Sequence, residues 1–128
     1  MKQSGFATLE VILMVMVIGI LASIAVPRFT SVTTAANTAK IQSDLSTIDT
    51  AISIYYMEKG SYPTSLNDLS DYLKDIANVK PPTGNAYING TSTKINATEY
   101  AITAGTDGEE SRATLDGKKS GEFTNKSS

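Results

Sequence analysis

From Phe6 to Val26 the chain reads FATLEVILMVMVIGILASIAV, and a single charge, Glu10, interrupts those 21 residues. A helix of that length rises about 32 Å at ~1.5 Å per residue, close to the ~30 Å hydrocarbon thickness of a bilayer. After Arg28 the pattern changes. Ile41, Leu45, Ile48, Ile52 and Tyr55 step by four and three, which traces one face of a helix, while Ser, Thr, Asp, Lys and Gln fill the other. Lys59 and Gly60 together form a stop signal. The pattern therefore predicts one long helix from about Phe6 to Lys59, bare in its first half and amphipathic in its second. The bare half must lie in lipid or pack against copies of itself.

Shorter elements follow. Ser61 to Thr64 reads as a turn. Leu66, Leu69, Tyr72 and Leu73 share a face, and Ser65 with Asp68 three residues on makes a cap, predicting a short helix from Leu66 to Asp75. Pro81 to Asn85 is a loop. Ala86 to Ile88 reads as a strand, Asn89-Gly90 as a hairpin turn, and Lys94 to Thr103 as a second strand. Thr106 to Glu109 is another turn, Arg112 to Leu115 a third strand, and Lys118 to Ser128 a polar, loose tail. The expected fold class is α+β: a long N-terminal helix, with a hydrophobic half and an amphipathic half, packed on a small antiparallel β-sheet of about three strands. The sheet must cover the apolar stripe, because nothing else in the chain can.

Composition narrows the functional classes. The chain has 128 residues, a formal net charge of -2, no cysteine and no histidine. No disulfide or thiolate chemistry is available, and the commonest general base and metal ligand are missing. Lys and Arg are scattered, so no basic face for nucleic acid is evident. There is no phosphate-binding or dinucleotide loop and no assembled catalytic set, so the expectation is a protein that is not an enzyme. Asn89-Gly-Thr91, Asn96-Ala-Thr98 and Asn125-Lys-Ser127 match the glycosylation pattern, as chance allows in an Asn- and Thr-rich chain.

Three readings compete for residues 1–26. A cleaved secretory signal has a small-residue site, Ser23 to Ala25, but its apolar run is too long and Glu10 sits badly in it. An ordinary membrane anchor fits by length, yet a carboxylate deep in the membrane costs roughly 2.5–3.5 kcal/mol. The third reading starts from the short polar leader MKQSG, which ends at Gly5. Cleavage after Gly5 would give Phe6 a free ammonium group. Glu10, the fifth residue from that new end, could pair with the ammonium of a neighbouring subunit. Each charge alone is expensive in an apolar setting; paired, they offset much of that cost and fix the register between subunits.

Gly5-Phe6, then Glu10, then an apolar run ending near Pro27 resembles the class III signal of type IV pilins and type II secretion pseudopilins. The resemblance implies that a prepilin peptidase cuts between Gly5 and Phe6 and methylates Phe6. It implies that Glu10, with Phe6, serves assembly, and that the helix bends or locally unwinds near Gly19 and Pro27. Residues 1–5 are then a leader, 6–28 a transmembrane and filament-core helix, and 29–128 a globular pilin domain. This chain carries Phe6-Ala7-Thr8-Leu9-Glu10 where the family usually has Phe-Thr-Leu-Ile-Glu, so the end positions agree. Tyr62-Pro63-Thr64 also resembles the segment after the long helix in major pseudopilins. From the same resemblance Asp107, Glu109 and Glu110 are candidate calcium ligands, with Asp116 and Glu122 as further oxygen donors; no other cofactor is implied.

The implied partners are copies of the chain in a helical filament, prepilin peptidase, an assembly ATPase, a platform protein, and membrane lipid before assembly. The implied location is the inner membrane, with a single span and a cytoplasmic N-terminus, and then an extracellular filament or a periplasmic pseudopilus. The leading expectation is a subunit of a surface pilus for adhesion, motility or DNA uptake. The alternative is a major pseudopilin of a type II secretion system acting as a piston. A third class, a binding domain on an uncleaved anchor, stays open at this point.

Overall fold

The computed structural model describes residues 2–126, and the side chains of these except 2–4 and 24–29. Contacts divide the chain into two units, Met1–Thr33 and Thr34–Ser128. The element order is α1 (Lys2–Lys59), β1 (Asn85–Ile88), β2 (Thr91–Lys94), β3 (Ala101–Thr103) and β4 (Arg112–Thr114), with short 3-10 turns at Leu66–Leu69, Ile76–Asn78 and Ser120–Glu122.

Helix α1 is continuous through Gly19 and Pro27. The proline ring itself lies outside the described side chains. Pro27 still removes the N–H that would bond the carbonyl of Ser23, so the backbone there is held by one bond fewer. At the far end Gly60, with φ 75°, closes α1 by donating its N–H to Tyr56 O at 2.8 Å. This is the left-handed C-terminal stop that glycine accommodates without strain.

In the unit from Thr34 onward, the stripe read from the sequence is the core. Ile41, Leu45, Ile48 and Ile52 are fully buried, and Tyr55 packs at the margin. Leu69, Ile76, Ala86, Ile95, Tyr100, Ala113, Leu115 and Phe123 complete the cluster. Burying one such aliphatic side chain stabilises by about 1.5–3 kcal/mol, so this cluster supplies the main driving force for folding.

The strands depart from the expected single sheet. β1 pairs with β2 and β3 with β4, giving two separate two-stranded antiparallel sheets. The Asn89-Gly90 turn is as expected: φ is 49° and 86° at the two positions, and Ile88 faces Thr91 across it. Positive φ at both central residues matches the right-handed twist of the strands it joins. The predicted strand Lys94–Thr103 is broken. Asn96 and Ala97 donate their N–H groups to the Asp116 carboxylate at 2.9 and 3.0 Å, so those amides bond a side chain instead of a neighbouring strand. Extended pairing resumes only at Ala101.

The predicted helix Leu66–Asp75 is likewise corrected. A 3-10 turn covers Leu66–Leu69, and Asp75 adopts a left-handed conformation, φ 60°, before a second such turn. Asp68 does reach back as expected, accepting from the N–H groups of Thr64 and Ser65 at 3.0 and 3.2 Å. The tail is not loose. Leu115 and Lys118 pair around an Asp116-Gly117 turn, and Phe123 is 0% exposed. Glu122 O and Thr124 O accept from Asn89 N and Gly90 N, each at 2.9 Å. Ser127 and Ser128 of the expected tail lie outside the described residues.

Candidate assembly site

The N-terminal site is built by one segment. Gly5–Ser23 is helical, long and apolar enough to cross a membrane, and none of it is buried within the chain. Phe6 is 69% exposed, and Leu9, Val11, Ile12, Leu13, Met14, Val15, Met16, Val17, Ile18, Ile20 and Leu21 are all more than half exposed. Taking these groups out of water is worth on the order of tens of kcal/mol by area, an upper figure. That surface has to be covered by something outside this chain.

Glu10 lies on one face with Leu13, Met14, Val17 and Ile18, the positions three, four, seven and eight residues further on. Phe6 is one turn earlier on the same face. Side chains on a helix lean toward its N-terminus, so the Glu10 carboxylate is carried toward the Phe6 end. Among the described residues Glu10 has no ion-pair partner within the chain. Gly5 and Gly19 each have open space where a Cβ would stand, so neither is required by close packing within the subunit. Packing against another helix remains a use for Gly19's bare surface.

In the unit from Thr34 onward, sequence reasoning missed the polar anchors. Thr38 Oγ1 accepts from Tyr87 N at 2.7 Å and donates to Thr34 O at 2.7 Å, while Asn37 Nδ2 donates to Asn85 O at 2.9 Å. Further along α1, Asp44 accepts from Tyr100 Oη and from Lys40 Nζ, both at 2.6 Å. Asp49 accepts from Ala113 N at 2.7 Å and from the Arg112 guanidinium at 2.9 Å. These contacts attach β1, Tyr100 and β4 to the helix at successive heights. Burial and the Asp44 hydrogen bond push the Tyr100 phenol well above its usual range. The Asp49 bond raises Arg112 further. A signal was present in the sequence, since Asp44 and Asp49 flank the apolar stripe, but spacing alone does not name their partners.

The candidate calcium ligands are not gathered. Asp107 stands at φ 54° in the Thr106–Glu109 turn, whereas Glu110 lines a hollow with Asp49, Tyr62 and Arg112. Asp116 is committed to two backbone N–H groups, and Glu122 accepts from Lys119 N at 2.8 Å. Among the described residues no three His, Cys, Asp or Glu side chains group where they could hold a metal ion. The loop is instead closed by its own backbone. A Cβ on Gly105 would lie 2.1 Å from Glu109 O, so only glycine fits there.

No family model and no solved structure matches the chain. Over 84 residues it is 33% identical to type II secretion system core protein G of Pseudomonas aeruginosa, covering 66% of this chain and 55% of that protein. Over 64 residues it is 36% identical to the protein of the same name in Aeromonas hydrophila, covering 50% and 45%. Over 80 residues it is 32% identical to that of Vibrio cholerae, covering 62% and 55%. The chain thus spans about half the length of these relatives. An exposed apolar helix with one acid near its start, a separate α+β unit and these similarities point the same way: the chain is similar to the pseudopilins of type II secretion systems and so to the type IV pilin family.

Proposed function

We propose that the chain is a pseudopilin, a structural subunit that assembles into a filament of a type II secretion system after its leader is removed. The observation that carries this is the bare helix Gly5–Ser23, wholly exposed, with Glu10 set into its apolar face. Lipid covers that face first, and the helices of sibling subunits cover it in the filament. Lys2 stays on the cytoplasmic side by the positive-inside bias, which puts the polar unit across the membrane. Cleavage between Gly5 and Phe6 creates the ammonium that Glu10 of a neighbour receives, a pairing made worthwhile by the apolar surroundings. The working partners are then prepilin peptidase, an assembly ATPase and a platform protein.

Of the two filament readings, similarity to type II secretion system core protein G in several bacteria favours the secretion pseudopilus over a surface pilus for adhesion, motility or DNA uptake. Tyr62-Pro63-Thr64 after the long helix supports the same choice.

Two measurements test the proposal. Mass spectrometry of the mature protein is expected to find an N-terminus at Phe6 carrying one added methyl group. An intact Met1 in cells with active peptidase would overturn the filament reading. Deleting the gene is expected to abolish export of secreted enzymes while leaving surface pili in place. Loss of pili with normal export would return the chain to the surface-pilus class.

A further inference from the structure

We propose that Asn89 is a site of spontaneous covalent change, deamidation through a succinimide, and that the docked segment Glu122–Thr124 is the brake on that reaction. The sequence holds seven asparagines, and only Asn89 is followed by glycine. Glycine has no Cβ to shield its backbone nitrogen, so the Asn-Gly pair offers the least hindered attack.

The chemistry needs only water. The Gly90 backbone nitrogen gives up its proton to solvent base and attacks Cγ of Asn89. A carbon–nitrogen bond forms, and the side-chain nitrogen leaves as ammonia. Water then opens the five-membered ring at either carbonyl. One product is aspartate at position 89; the other is isoaspartate, in which the main chain runs through the former side chain and gains one backbone atom.

The fold meets this chemistry at two points. The attacking nitrogen is engaged, because Gly90 N–H donates to Thr124 O at 2.9 Å. The residue before it is pinned as well, because Asn89 N–H donates to Glu122 O at 2.9 Å. Between those two acceptors Phe123 is fully buried and anchors the segment. Asn89 is partly buried, and its carboxamide makes no hydrogen bond among the described residues, so it is ready to react once the nitrogen is released. An extra backbone atom in a two-residue turn would break the facing of Ile88 with Thr91 and so the β1–β2 register.

The test uses the full chain in detergent micelles at mildly alkaline pH, with mass spectrometry of the peptide containing Asn89. In the native chain the reaction is expected to run at least roughly tenfold slower than in the same chain in urea, the factor that about 1.4 kcal/mol of opening free energy gives. Phe123→Ala is expected to move the native rate toward the unfolded one. Equal rates in native and unfolded chains overturn the brake, and an unfolded chain that keeps its carboxamide overturns the site. If Phe123→Ala fails to fold, hydrogen exchange at Gly90 in the unaltered chain decides. Protection of that amide supports the brake, and exchange at the rate of an open loop overturns it. Neither outcome depends on whether the chain assembles into filaments.

Discussion

Asp49 shows how one side chain can hold an element. Its carboxylate bonds Ala113 N, on a residue that is itself 0% exposed, and the Arg112 guanidinium beside it. Asp49→Ala would leave a buried backbone donor unpaired, at a cost of about 1–3 kcal/mol. A urea titration should show the unfolding free energy fall by that amount, and an unchanged value would mean water replaces the carboxylate. Tyr100 gives a pH prediction. Its phenol is raised above the ordinary 10.0 by burial and by the bond to Asp44. A raised pKa in the folded state means the contribution is complete below the unfolded value and is lost as pH rises through the folded one. Stability should therefore hold to about pH 9 and decline beyond about pH 10, and Tyr100→Phe should flatten that decline. Tyr72, raised to about 12 by its hydrogen bond to Glu58, adds to the same limb. Asp68 works in the opposite direction. The N–H groups of Thr64 and Ser65 lower its pKa, so its contribution is present above the usual carboxylate range and is lost as pH falls through the depressed value.

Elements were legible where a period or a dipeptide determines them. The step of four and three from Ile41 to Ile52 fixes α1 and its buried face, because no other conformation puts those four side chains together. Asn89-Gly90 fixes a two-residue hairpin, because few other residue pairs accept positive φ twice. The misses have a common cause. Lys94 to Thr103 has strand composition, but Asp116, some twenty residues away, takes the amides at Asn96 and Ala97. Local propensity does not see a distant acceptor. Phe123 was missed in the same way, as one aromatic in a polar tail whose pocket forms from other parts of the chain. Of the candidate assembly site, Glu10 stands out in the sequence as a lone carboxylate in an apolar run, and its pairing with a neighbour belongs to the proposal above. A turn-level prediction follows for the hairpin. Gly90→Val places a β-branched residue at φ 86° and should lower the unfolding free energy from a urea titration by at least ~1 kcal/mol, read against Thr93→Val as a control on the same sheet.

At the scale of the whole molecule, the two units draw on different surroundings. Every buried apolar residue of the core lies between Ile41 and Phe123, so the unit from Thr34 onward carries its own hydrophobic driving force. Residues 6–21 bury nothing within the chain, and their cover must come from outside it. The two requirements should separate by mutation. A fragment starting at Phe29 is expected to be soluble without detergent and to unfold in one cooperative step. Within it, Ile48→Ala should cost about 2–5 kcal/mol through the cavity it leaves. In the full chain, Glu10→Ala should leave that unfolding midpoint unchanged and leave cleavage after Gly5 intact, yet reduce recovery of filaments from cells. If the Glu10→Ala chain assembles normally, register is set by the apolar helix faces alone and the acid has another use. If the fragment instead aggregates or melts without a cooperative transition, the globular unit depends on the apolar helix for its fold, and assembly and folding are one process in this protein.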